Sequence, residues 1–146
     1  MENTKFSDII ELVLALLDSY EIYDLNDDDD LITTFFKPYI RIASGELENR
    51  HTNIDLSDRD DTKCEFNCKF SDGEQLVIAL FMCVGYLSRK THDILQMQLH
   101  LQDGDFKTFA EKNNLEGKMN ALYSLEEKAD YELKSRGFKN FNWGED

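Results

Sequence analysis

Cys64 and Cys68 are the residues of this chain with the most chemistry to offer, since two thiolates four positions apart can supply half of a tetrahedral zinc site. The other half is missing. No second Cys or His pair follows at ligand spacing, and His51, His92 and His100 are scattered along the sequence. The segment Cys64, Phe66, Cys68, Phe70 alternates with a period of two. The two cysteines are therefore expected as small buried hydrophobes on one face of a strand, not as ligands. Asp27, Asp28, Asp29 and Asp30 look like a fragment of a calcium loop, but such a loop needs alternating ligands, a central Gly and a distal Glu. Their expected role is to cap a helix and complement its dipole. No G-x-S-x-G elbow, G-x4-G-K-[ST] loop or G-x-G-x-x-G fingerprint occurs. The expectation is a protein that is not an enzyme and holds no metal or cofactor.

Thirty acidic residues against sixteen basic ones give a formal charge of −14, which repels phosphate backbones and anionic lipid surfaces. Specific nucleic-acid binding is thus disfavoured. The basic residues cluster only weakly, at Arg89, Lys90 and His92 and again at Lys134, Arg136 and Lys139, where they suit the negative end of a helix dipole. Hydrophobic residues make up 41% of the chain, enough to exclude wholesale disorder. Three cysteines and no apolar leader in the opening residues point to synthesis in a reducing compartment, and the apolar run 76–85 is about half the length of a membrane span.

The elements that must position these residues are mainly helical. Phe6, Ile9, Ile10, Val13, Leu16, Leu17 and Tyr20 predict a first helix over about 7–20, capped by Ser7. Leu31, Phe35, Tyr39, Ile42 and Ala43 predict a second, in which Pro38 either makes a kink or marks the true start. Ser71-Asp72-Gly73-Glu74 is a capping box that starts a third helix at Asp72, apolar at nearly every position from 76 to 87 and so surrounded by the others. Residues 94–101 either continue it or form a short helix of their own. Asp103-Gly104-Asp105 reads as a turn before a long last helix striped by Phe106, Phe109, Leu115, Met119, Leu122, Leu125, Ala129 and Leu133, with Gly137 as its stop.

The fold class is mainly α: a small bundle of about four helices forming one domain over 1–137, with an extended loop and β-like arm at 44–70 and an aromatic tail at 138–146. So long an excursion without a helix marks function, disorder or a partner surface. The tail carries Phe138, Phe141 and Trp143, and either docks back on the domain or inserts into a neighbour.

Half of the chain resembles a family of small virion proteins of tailed bacteriophages. The likeness rests on Ser71-Asp72-Gly73-Glu74-Gln75-Leu76-Val77-Ile78-Ala79-Leu80 leading into Val84-Gly85-Tyr86-Leu87-Ser88. It continues through Leu99-His100-Leu101, Gly104-Asp105-Phe106-Lys107-Thr108-Phe109, the run 111–118 and the long helix with its aromatic tail. That family is similar to the head-to-tail connector, or neck adaptor, proteins, helical subunits forming a ring beneath the portal. The resemblance implies a homo-oligomeric ring in the neck of the virion, synthesised in the host cytoplasm, with portal and tail or neck proteins as partners and no membrane. It makes Phe66, Phe70, Phe138, Phe141 and Trp143 the candidate contact residues. The alternative from another class is an acidic phage inhibitor that mimics DNA and fills a basic groove of a host protein.

Overall fold

The structure is a computed structural model that describes residues 2–17, 29–50 and 52–139. Among these, the elements are α1 (Phe6–Leu16), α2 (Asp29–Asn49), β1 (Arg59–Asp60), β2 (Glu65–Phe66), α3 (Asp72–Gln96), a 3-10 turn (Met97–Leu99), α4 (Asp103–Lys112) and α5 (Leu115–Lys139). The mainly α expectation with a loop between the second and third helices holds. The chain forms two compact units, Met1–Gly85 and Tyr86–Asp146, divided within α3. A helix of 25 residues is about 37 Å long, more than the roughly 30 Å diameter of a small domain, so one small core does not cover it from end to end.

In the first unit, α1 buries the stripe read from its spacing, Phe6, Ile9, Ile10 and Val13, with Leu17 at its C-cap. Its cap differs from the one expected. Ser7 is exposed inside the first turn, and the Asp8 carboxylate accepts the Lys5 N–H at 3.0 Å instead. In α2 the buried face is Ile32, Phe36, Tyr39, Ile40, Ala43 and Leu47, while Leu31 and Ile42 are exposed. Tyr39 and Ala43 of the expected stripe are thus buried, and for the rest of it packing, not periodicity, turns the buried face by one position towards Ile32 and Phe36. The helix starts nine residues before Pro38, which sits exposed within it and leaves the Thr34 carbonyl without its usual N–H partner. It also runs on to Asn49, so residues 44–49, expected as loop, are helical.

The first part of α3 opens on the capping box: the Ser71 N–H donates to Glu74 Oε1 at 3.0 Å and the Glu74 N–H to Ser71 Oγ at 3.2 Å. Seven consecutive residues, Val77 through Cys83, are buried, as expected of a surrounded helix. Contact with α2 is close at Gly85, where a Cβ would lie 3.3 Å from Ile42 Cγ2 and 3.5 Å from Tyr39 Cδ1. Arg50 lays its guanidinium 5.0 Å from the centre of the Phe81 ring at the edge of this core.

In the second unit, α3 continues without a break to Gln96. The last helix expected from the sequence is in fact two. Helix α4 begins at Asp103, with Gly104 inside it, and ends at Lys112; Asn114 then turns the chain with φ 52°, in the left-handed region that Asn tolerates better than most residues. Gly117 makes room for this turn, because a Cβ there would fall 2.5–2.8 Å from the Asn114 amide group. The α4 end is closed by the Asn113 N–H to the Phe109 carbonyl at 3.0 Å and by the Lys118 ammonium on the Asn113 carbonyl, a cation at the negative end of the dipole. Helix α5 passes Gly137, the expected stop, and reaches Lys139. No helix among the described residues is long and apolar enough to cross a membrane.

Candidate partner-contact sites

The arm folds back on its own unit. β1 and β2 pair antiparallel, Arg59 opposite Phe66 and Asp60 opposite Glu65, across a four-residue connection. The Asp60 carboxylate makes this connection tight by accepting the N–H groups of Thr62 and Lys63, both at 2.9 Å, and the Lys63 bond is the largest cause holding its pKa below the ordinary carboxylate value. Asp55 is lowered likewise by the Ser57 hydroxyl and N–H. At the end of the turn Cys64 has φ 57°, which interrupts the expected alternation.

That break corrects the placement of the cysteines. Cys68 is exposed and Cys64 half-buried, so they do not share the buried face of Phe66 and Phe70 and are not the small buried hydrophobes expected of the pair; Cys83, within the apolar run of α3, is the buried cysteine. Burial pushes the Cys83 thiol up to about 12, with Sγ 3.8 Å from the Val13 carbonyl. Cys68 is raised first by partial desolvation and then by Asp58, Glu74 and Asp55.

Phe66 and Phe70, candidates for touching partners, are instead in the core at 0% and 5% exposure. The Phe66 ring lies 4.9 Å from Phe6 and 5.2 Å from Phe70. The N-terminal segment threads alongside: the Phe66 N–H donates to the Thr4 carbonyl, the Thr4 N–H to Cys68 and the Phe6 N–H to Cys64, each at 2.9 Å. Thr4, itself buried, accepts the Phe70 N–H on Oγ1 at 2.8 Å. What looked like a free arm is thus a lid on the first-unit core, held by main-chain bonds to residues about sixty positions away. The other candidate contacts, the Phe138 side chain with Phe141 and Trp143, lie outside the described residues, as do Asp27, Asp28 and His51. His92 is exposed with a ring nitrogen 3.2 Å from Gln96 Nε2, and His100 is exposed. Among the described residues no three His, Cys, Asp or Glu side chains converge as metal ligands.

Two surface features were not legible in the sequence. In the first unit, Lys5, Lys37 and Lys63 share a polar cleft of about 440 Å3 with Asp30 and several hydroxyls, and Lys37 Nζ donates to the Asp61 carbonyl at 3.1 Å. These lysines are 26 or more positions apart, so nothing local marks them. In the second unit, α4 and α5 border an open groove of about 690 Å3 whose exposed surface is mainly apolar, lined by Phe106, Ala110, Leu115, Met119 and Tyr123 together with Lys107, Glu111, Asn114, Glu116 and Asn120. These residues belong to the stripe assigned to one continuous helix or sit beside it. The bend at Asn114 is what converts the stripe into two walls. Around it, Phe106, Phe109, Leu115, Met119 and Leu125 are only half-buried, and Tyr123 and Tyr131 are exposed at 53% and 67%.

In comparisons with known proteins, no family, no curated protein and no solved structure matches this chain.

Proposed function

We propose that this chain acts by binding other macromolecules and not by catalysis, as a structural virion protein of a tailed bacteriophage: a head-to-tail connector, or neck adaptor, subunit that joins the portal to the tail. The observation that carries this reading is the apolar groove between α4 and α5, left open by the described residues of a chain of −14 charge. A monomer gains nothing by keeping such a face in water, whereas a ring subunit buries it against a neighbour. The residues on which the connector resemblance rests lie mostly along α3, α4 and α5, the helices that include both walls of that groove. Strong negative charge also suits the lining of a DNA channel, where repulsion keeps the duplex from sticking.

The test is stoichiometric binding. Purified chain mixed with the portal ring of its phage, followed by analytical ultracentrifugation, is expected to give a complex of fixed composition. Failure to bind portal or any neck protein, together with displacement of DNA from a basic host protein, would favour the DNA-mimicking inhibitor instead.

A further inference from the structure

We infer that the polar cleft of the first unit, where Lys5, Lys37 and Lys63 meet, binds the phosphoryl group of a small phosphorylated molecule. The cleft holds about 440 Å3, within the range of pockets that enclose small ligands. Its walls come from three places in the sequence: the start of α1, the first turns of α2 and the turn between β1 and β2. Against three ammonium groups its lining sets one carboxylate, Asp30, a local excess of two positive charges on a chain of −14. Among the described residues no carboxylate lies within ion-pair distance of any of the three lysines. Asp60 feels the charge of Lys63, but its carboxylate is taken by the Thr62 and Lys63 N–H groups. Like charges gathered in this way repel one another, and a bound anion turns that repulsion into attraction.

The lining decides the class of ligand. Lys37 is half-buried and spends one of its three N–H donors on the Asp61 carbonyl at 3.1 Å, which leaves two for a ligand and ties down the turn that carries Lys63. The hydroxyls of Thr33, Thr34 and Thr62 add further donors. Donors arranged around point charges suit the three oxygens of a phosphoryl group, and an excess of two charges matches a phosphomonoester dianion better than the single charge of a carboxylate or a phosphodiester. Among the described residues no aromatic or large aliphatic side chain lines the cleft, so a nucleobase has nothing to stack on and the body of the ligand is polar, as in a sugar phosphate. The negative charge of the whole chain does not forbid this, because at physiological salt the field of a surface charge fades over about 8 Å. The site is independent of the assembly reading, since the cleft lies in the first unit and the groove in the second.

Glucose 6-phosphate is titrated into the full-length chain at constant ionic strength, with the amide signals of Thr33, Thr34, Thr62 and Lys63 followed by NMR. Saturable movement of these signals is expected, with inorganic phosphate binding more weakly. Lys63→Gln, at an exposed residue, is expected to raise the Kd at least about tenfold through the loss of one charge-assisted hydrogen bond. Lys69→Gln removes the same charge from an exposed residue outside the cleft and is expected to change the Kd by less than about twofold. Cys64 lines the cleft and Cys68 is exposed outside it, so alkylation by iodoacetamide gives a second readout: bound glucose 6-phosphate slows Cys64 and leaves Cys68 unchanged. Absence of saturation overturns the inference, as does an equal loss with Lys69→Gln, the mark of diffuse attraction. A single-stranded oligothymidylate that moves the same signals at lower concentration than glucose 6-phosphate also overturns it, in favour of nucleic acid, and tighter binding of inorganic phosphate overturns the assignment to an ester. None of these outcomes touches portal binding, so the connector reading stands or falls separately.

Discussion

Replacing Phe66 separates a core lid from a free arm. Its side chain is wholly buried and touches two rings, Phe6 at 4.9 Å and Phe70 at 5.2 Å. Phe66→Ala deletes the ring and leaves a cavity, a change that costs about 3–5 kcal/mol in well-packed cores. Phe66→Leu keeps most of the apolar area and forfeits the two ring contacts, each worth about 0.5–1.5 kcal/mol, so about 1–3 kcal/mol is lost. Since the chain forms two units, a global melt mixes their transitions, and native-state hydrogen exchange at Val77–Cys83 reports the first unit specifically. With about 1.4 kcal/mol per factor of ten, protection should fall roughly a hundredfold or more for Phe66→Ala and roughly 5- to 150-fold for Phe66→Leu. Cys68→Ser, at the exposed neighbour, should change it by less than about threefold. A Phe66→Ala variant with protection as high as Cys68→Ser would refute the assignment of this segment to the core.

Other perturbations test other parts of the account. Thr4→Val keeps the shape of the side chain but leaves the buried Phe70 N–H without its acceptor, and a loss of about 1–3 kcal/mol is expected in urea titrations followed at first-unit amides. Raising the pH through 9 towards 12 should weaken the first unit. The unfolded chain gives up the Cys83 proton near 9.0 and the folded one near 12, so the unfolded state binds fewer protons in that window. The Cys83 contribution approaches about 1.4 kcal/mol per pH unit there, and Cys83→Ala should remove that part of the slope in alkaline titrations. Asn114→Gly should retain or raise the stability of the α4–α5 pair, whereas Asn114→Val should lower it by about 1 kcal/mol or more because a β-branched residue resists φ 52°; thermal melts monitored at α5 amides distinguish the two.

Local signals in this sequence were reliable where the chemistry is local. The Ser71–Glu74 box closes both of its hydrogen bonds, and the stripe of α1 is the face that packs, because capping and helical spacing depend on residues three or four apart. The failures share a different cause. Residues 64–70 looked like a strand by alternation, yet the Asp60 carboxylate and the left-handed Cys64 turn the chain, and Thr4 and Phe6, about sixty residues away, decide what is covered. Along the first turns of α2 either pair satisfied the spacing, and only contact with the rest of the unit chose Ile32 and Phe36 over Leu31 and Phe35. The groove needed the break at Asn114, for which the sequence signal was the Asn113-Asn114 pair inside an otherwise periodic stretch. The three-lysine cleft had no sequence signal, since it is made by tertiary proximity alone.

The central claim, that this chain is a structural component joining head to tail, is tested most directly in the particle itself. Quantitative mass spectrometry of purified virions, with antibody labelling viewed by electron microscopy, is expected to find the chain at a fixed ratio to the portal protein and at the head–tail junction. Its absence from mature and assembling particles, with the protein recovered instead on a host factor, would contradict the account.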